Sequence, residues 1–252
     1  LKDKKSFREN LAKIIERGLA KHDALAALTT TPAQLAGVAD QLGTIETGKL
    51  ANLVVVEGDY FDPKAKLKGV WIEGRWNTLE PEKLAWIEKK EEEDNEKKDD
   101  EKPEEKKEDK PDERLARSPI GEDTVLESAA VLVHNATLWT SSKRGLLKNH
   151  DLLVVDGKIK QIGRNLQPPE NAHVIDAKGK HVTAGLIDAH NHSMILGSVN
   201  EGTLPSSAMV SIGDVVNSES PQIHRQLAGG LTVANLLHGS AAYDSEIFTT
   251  QC

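Results

Sequence analysis

The sequence has a single cysteine, Cys252, at its last position. No internal disulfide can form, so cross-linking adds nothing to the stability of whatever the chain builds. Exported proteins can lack disulfides too, so this leaves the compartment open. No apolar run approaches the ~18 residues that a membrane-crossing helix needs. The chain opens Leu1-Lys2-Asp3-Lys4-Lys5, with neither a methionine nor an apolar signal core, and localisation stays unknown. A basic excess is missing as well: 32 Lys and Arg stand against 40 Asp and Glu, for a formal net charge of −8. That balance argues against nucleic acid and anionic lipid as partners.

The charge that is present is concentrated. Residues 88–113 hold 15 acids, 8 lysines, Asn95, Pro103 and Pro111, and no apolar side chain. Such a segment cannot bury surface to offset the entropy of being ordered. It is read as a solvated linker, with an acidic protein-binding tail as the alternative; opposite charges four apart allow transient helix between its prolines. The rest of the chain is nearly neutral, and the linker divides it.

Before the linker, Phe7, Leu11, Ile14, Ile15 and Leu19 recur at helical spacing, and Ser6 with Glu9 forms a capping box. Leu25, Ala26 and Leu28 mark a second helix, and Thr31-Pro32 opens a third. The period then changes. Residues 51–56 and 68–72 read as strands, with Glu73-Gly74 as a turn before Arg75 and Trp76. Beyond the linker, short strands are expected at 131–133, 137–139, 152–155, 158–162, 173–175 and 181–182. Asp156-Gly157 is a hairpin signal, because both positions favour positive φ.

The chemistry is concentrated in Val182-Thr183-Ala184-Gly185-Leu186-Ile187-Asp188-Ala189-His190-Asn191-His192. In a strand, residues two apart share a face, so His190 and His192 can converge on one ion. Neutral imidazole nitrogen suits zinc and related divalent metals. Asp188 shares that face one step deeper, where a carboxylate could orient a ligand ring. Asn191 points the other way.

This stretch resembles the first barrel strand of the amidohydrolase superfamily, with Ala184 where proline is more usual. "IHRQLAGGLTVANLLHGSA" resembles the imidazolonepropionase-like branch, in which a helix leads into the second barrel strand. At the front, "HDALAALTTTPAQLAGVADQLGTIETGKLANLVVVEGD" followed by "GVWIEGR" resembles the closing helices and last strands of another such enzyme. The resemblance therefore implies the junction of a tandem protein. Residues 1–87 would be the C-terminal helices and sandwich strands of one unit, 88–113 the linker, and 114–182 the N-terminal sandwich strands of a second. Residues 183–252 would begin the second unit's barrel. The implied fold is an α/β parent: a partial metal-dependent-hydrolase (β/α) barrel plus a small composite β-sandwich that buries Trp71 and Trp139.

The implied function is metal-dependent hydrolysis, in the parent protein, of a non-peptide or dipeptide C–N bond (amide or cyclic amide) in a small molecule. A zinc-like divalent metal would be held by His190 and His192, with Asp188 behind them and His238 as a possible substrate contact. No catalytic base and no complete ligand set is legible in the chain. The remaining barrel segments of the parent would have to supply them, and homo-oligomerisation is possible. The alternative is a noncatalytic β-rich structural or interaction module. Glu201 reads as a solvated loop acid, and His224 as a surface residue. His134, His173 and His181 read as sandwich residues, and Trp71, Trp76 and Trp139 as sandwich core.

Overall fold

The computed structural model describes residues 7–78, 125–127, 130–196 and 211–239. The charged segment 88–113, the capping residue Ser6 and the loop acid Glu201 lie outside these described residues.

Three helices come first: α1 (Phe7–Glu16), α2 (Lys21–Leu28) and α3 (Thr30–Leu35). Leu11 and Ile15 of α1 lean on the core, while Phe7 and Ile14 stay exposed. α2 buries Ala24 and Leu25. It ends at Thr29, whose hydroxyl donates to the Leu25 carbonyl at 2.7 Å. Pro32 sits in the first turn of α3, where its missing N–H removes no helical bond.

Among the described residues, nine strands then share one sheet. They are β1 (Leu53–Glu57), β2 (Lys66–Ile72), β3 (Arg75–Thr78), β4 (Val125–Glu127), β5 (Ala130–Trp139), β6 (Leu146–Val155), β7 (Lys158–Gly163), β8 (His173–Asp176) and β9 (Lys180–Ala184). The order is β4-β3-β2-β1-β9-β5-β6-β7. β8 and β9 lie in parallel along successive halves of the same edge of β5. Strands from both sides of the charged segment meet where β1 runs antiparallel to β9, with Leu53 opposite Ala184 and Glu57 opposite Lys180.

One long β5 stands where two short strands are expected. Between them the register shifts, and Asn135 takes a left-handed backbone with φ 59°. The buried Asp151 carboxylate accepts the Asn135 N–H at 2.8 Å, so the bulge leaves no buried donor unpaired. β6 likewise starts six residues before the expected 152: its first half pairs with β5, and Leu147, opposite Leu138, packs against the first core.

β1 is buried on both faces, which is why its sequence shows no alternation. Leu53 and Val55 enter a core with Trp71, Leu138, Leu152 and Ile159. Val54 and Val56 enter a second core with Leu25, Tyr60, Phe61, Leu186 and Leu227. The first core joins residues of β1 and β7, four places apart in the sheet and ~19 Å apart were it flat. The sheet is therefore curled. Leu50 bridges to Lys158, and Ala51 N–H donates to the Gly157 carbonyl at 2.8 Å, drawing the two regions together.

Trp71 is fully buried, with Trp76 tilted against it at 4.5 Å between centroids. Trp139 departs from expectation. It lies half-buried against the second core, edge-on to Phe61 at 5.8 Å, instead of beside Trp71. Strand parity decides this: Leu138 takes the inner face, so its neighbour must point out.

Sandwich and barrel strands are expected to meet between 182 and 183; the changeover lies at Gly185. β9 stays in the large sheet, while β10 (Leu186–Asn191) pairs in parallel with β11 (Leu231–Leu236) as a separate sheet. Gly185 N–H donates to the Asn52 carbonyl at 2.7 Å, and a Cβ at this position would lie 2.1 Å from Thr232 Oγ1. Only glycine fits at this changeover. A 3-10 turn (Ile212–Val215) and α4 (Pro221–Ala228) precede β11. Ser220 caps α4, its hydroxyl accepting from Gln222 N–H at 3.3 Å, with Pro221 at the helix start.

Candidate metal-binding site

The candidate site forms at the carboxyl end of β10. The β10–β11 ladder places Asp188 opposite Ala234 but Asn191 opposite Leu236, so three steps on one strand meet two on the other. The extra residue is a bulge at Ala189–His190. Side chains take over the pairing that the bulge gives up. Asn235 Nδ2 donates to the Ala189 carbonyl at 3.1 Å, Asp188 Oδ1 accepts His190 N–H at 3.1 Å, and Asn191 Oδ1 accepts Ser193 N–H at 2.8 Å. Two consecutive Asx turns thus bracket the two histidines.

The rings converge. His190 Nε2 lies 2.9 Å from His192 Nε2, with the rings edge-on. His192 Nδ1 lies 2.8 Å from the Leu237 carbonyl oxygen. A carbonyl only accepts, so Nδ1 carries the proton and Nε2 keeps its lone pair. A backbone carbonyl behind a ligand imidazole is the arrangement that raises its basicity and holds its plane. With the His190 proton on Nδ1, both Nε2 atoms are free to ligate, so the donor set fits two positions of a zinc-type site. Among the described residues, no three His, Cys, Asp or Glu side chains gather in one metal-sized cluster. The pair stands alone.

Asp188 reaches His190 through the main chain, not through the ring: its other oxygen accepts Asn191 Nδ2 at 2.8 Å. Asn191 is 6% exposed and faces inward, whereas both histidines are open to solvent. His238 follows β11 and is half-buried, with Nδ1 3.0 Å from the Gly239 carbonyl. No hydrogen bond among the described residues ties it to the pair.

His224, read as a surface residue, is instead half-buried. Its Nδ1 has no partner, and burial pushes its pKa down. The reason is that α4 packs between β2 and β11 and sends Leu227 into the second core. His134 Nδ1 lies 3.0 Å from the buried Asp151. His181 Nδ1 accepts the Trp139 indole N–H at 3.0 Å, and burial lowers its pKa. His173 is exposed.

Two contacts at this site were not legible in sequence: the Leu237 carbonyl beside His192, and Gln226 Nε2, which donates to Ser193 Oγ at 2.6 Å. Asn191-His192-Ser193 does carry an Asx-turn signature. Nothing local, however, could reveal that the Leu237 carbonyl or the Gln226 side chain would come alongside.

Comparison with known proteins gives matches to short stretches. Residues 5–77 match the amidohydrolase family. A dihydroorotase from Halalkalibacterium halodurans is 48% identical over 61 residues, which are 24% of this chain and 14% of that enzyme. A dihydroorotase from Geotalea daltonii is 60% identical over 42 residues, 17% of this chain and 10% of the enzyme. An imidazolonepropionase from Vibrio cholerae is 45% identical over 47 residues, 19% of this chain and 12% of the enzyme. The chain thus spans under a fifth of the length of these relatives. Among solved structures, an amidohydrolase from Thermotoga maritima matches at 35% identity and a TM-score of 0.41, covering 44% of this chain and 30% of the other.

Proposed function

We propose that the kinship of residues 5–77 with the amidohydrolase superfamily extends to the chemistry of the His190–His192 pair. On this reading the chain is part of a metal-dependent hydrolase acting on an amide or cyclic-amide C–N bond of a small molecule. The observation that carries it is the 2.9 Å approach of the two Nε2 atoms at the carboxyl end of a parallel strand, with His192 held from behind by a backbone carbonyl. Carboxyl ends of parallel barrel strands are where such folds place their sites. A divalent metal, zinc being the best match to imidazole ligands, would supply Lewis acidity and lower the pKa of a water. The chain's own residues hold and orient: His190 and His192 as ligands, Asp188 by fixing the His190 backbone, and His238 as a substrate contact at the end of β11.

Further parts of the reading follow from the resemblance. Residues 1–87 close one unit and 114–252 begin the next, with 88–113 as the linker between them. The shared sheet formed through β1 and β9 supports a composite β-domain from the two sets of strands. Among the described residues, two imidazoles are one ligand short of the usual zinc set. The 252-residue chain is therefore read as a noncatalytic β-rich module by itself, and catalysis as needing further barrel segments of the parent.

Elemental analysis and a hydrolase screen against lactams, cyclic imides and dipeptides test this on both the parent and the 252-residue chain. The parent should carry metal and turn over a substrate, and His190→Ala should abolish both. A metal-free parent with undiminished turnover would overturn the metal assignment. Turnover by the short chain, lost on His190→Ala, would overturn its reading as incomplete.

A further inference from the structure

The histidines lie at the end of a bulged, two-stranded ladder, a poor platform for holding two rings within ligand distance. One polar chain runs from α4 to this platform. Gln226 Nε2 donates to Ser193 Oγ at 2.6 Å, and the Ser193 hydroxyl donates to Asn191 Oδ1. Asn191 Nδ2 donates to Asp188 Oδ2 at 2.8 Å, and Asp188 Oδ1 receives His190 N–H at 3.1 Å. Every proton in the side-chain relay points the same way and ends on a carboxylate that can only accept. In this arrangement the Ser193 hydroxyl gives its one proton to Asn191, while Gln226 Oε1 is buried without a partner. Asn191 is buried and Ser193 and Gln226 are half-buried, which limits water as a substitute.

The structure assigns Gln226, acting through Ser193 and Asn191, as a positioning residue for the His190–His192 pair. We propose that this relay sets the affinity of the pair for a divalent metal. The inference rests on reading the two histidines as ligands. No side chain of the three relay residues hydrogen-bonds either imidazole. Their effect comes through the Asx turns at 188–190 and 191–193, which replace ladder bonds lost at the bulge. α4 is a suitable anchor because its Leu227 is locked in the second core while the preceding residue reaches Ser193.

The test is zinc titration of the 252-residue chain, read by the imidazole nitrogen resonances of His190 and His192. Gln226→Leu and Ser193→Ala, which cut the relay from different elements, should each weaken zinc binding about tenfold or more. Ser193→Thr keeps the hydroxyl and should stay within about twofold of the affinity of the unsubstituted 252-residue chain. Far-UV circular dichroism confirms that each variant folds. If both relay variants bind zinc as the unsubstituted 252-residue chain does while His190→Ala abolishes binding, the positioning role is wrong and the ligand reading stands. If His190→Ala also binds unchanged, the ligand reading fails and this inference with it.

Discussion

Asp151 holds together three parts of the chain with one carboxylate. It is 2% exposed, accepts the N–H groups of Asn135 and Leu166 at 2.8 and 2.9 Å, and faces His134 Nδ1 at 3.0 Å. Asp151→Ala strands two backbone donors, so the loss should be about 1–3 kcal/mol, visible as a lower urea midpoint. An unchanged midpoint would mean that water replaces the carboxylate. His181 raises a different residue-level expectation. Its Nδ1 accepts from Trp139, so protonation there must break that bond, and burial already lowers its pKa. Asp59 opposes the lowering, while Lys21 and Lys148 add to it. A histidine with a depressed folded pKa binds fewer protons folded than unfolded. Stability should therefore fall as pH drops below about 6.5 toward the folded value. His224, also lowered by burial, adds to the same slope. The melting temperature of His181→Phe should depend less on pH across this window than that of the parent, and an identical slope would remove His181 from the account.

Among the elements, the hairpin turns bear on how the sheet closes. Glu73-Gly74 and Asp156-Gly157 have φ values of 49°, 86°, 47° and 74°, the doubly left-handed form that suits twisted hairpins. Both turns were readable from sequence. Their contact was not: a Cβ on Gly157 would lie 2.7 Å from the Glu73 carbonyl oxygen, and a Cβ on Gly74 2.7 Å from Gly157 Cα. Gly157→Ala should thus combine backbone strain with a clash against backbone that cannot yield. Gly179 has a similar φ of 76° but open space around it. Gly179→Ala should cost about 1 kcal/mol from conformation alone, and Gly157→Ala clearly more. Equal losses in chemical denaturation would show that the two turns do not press on each other.

At the scale of the molecule, the feature that matters is β1 lying between β2 and β9. It belongs in sequence to the part before the charged segment, yet five of its residues pair with β9 from the part after it. The lysine-rich composition of 88–113 makes it the expected place for a first tryptic cut. Cleavage there should leave two fragments that co-elute in gel filtration and separate only in denaturant. Fragments that part under native conditions would mean that the β1–β9 and β3–β4 pairings together contribute little. First cleavage elsewhere would show that the segment is protected and the linker reading wrong.

Sequence by itself determined where the chain turns, where it extends and which residues could carry chemistry. Asp156-Gly157 demands positive φ, Leu53 to Val56 are too apolar to lie at a surface, and two histidines one residue apart suit a metal. These are local properties, written in backbone preference and side-chain polarity. Only tertiary structure decided which strands meet. The pairing of β1 with β9, the changeover at Gly185 and the outward turn of Trp139 depend on segments distant in sequence finding one another. The same holds for the candidate site. His190 and His192 were legible, but the Leu237 carbonyl beside His192 and the Gln226 amide beside Ser193 come from 45 and 33 residues further along. A backbone carbonyl carries no side-chain signature, and a glutamine on a short helix looks like any solvated residue until the helix is packed.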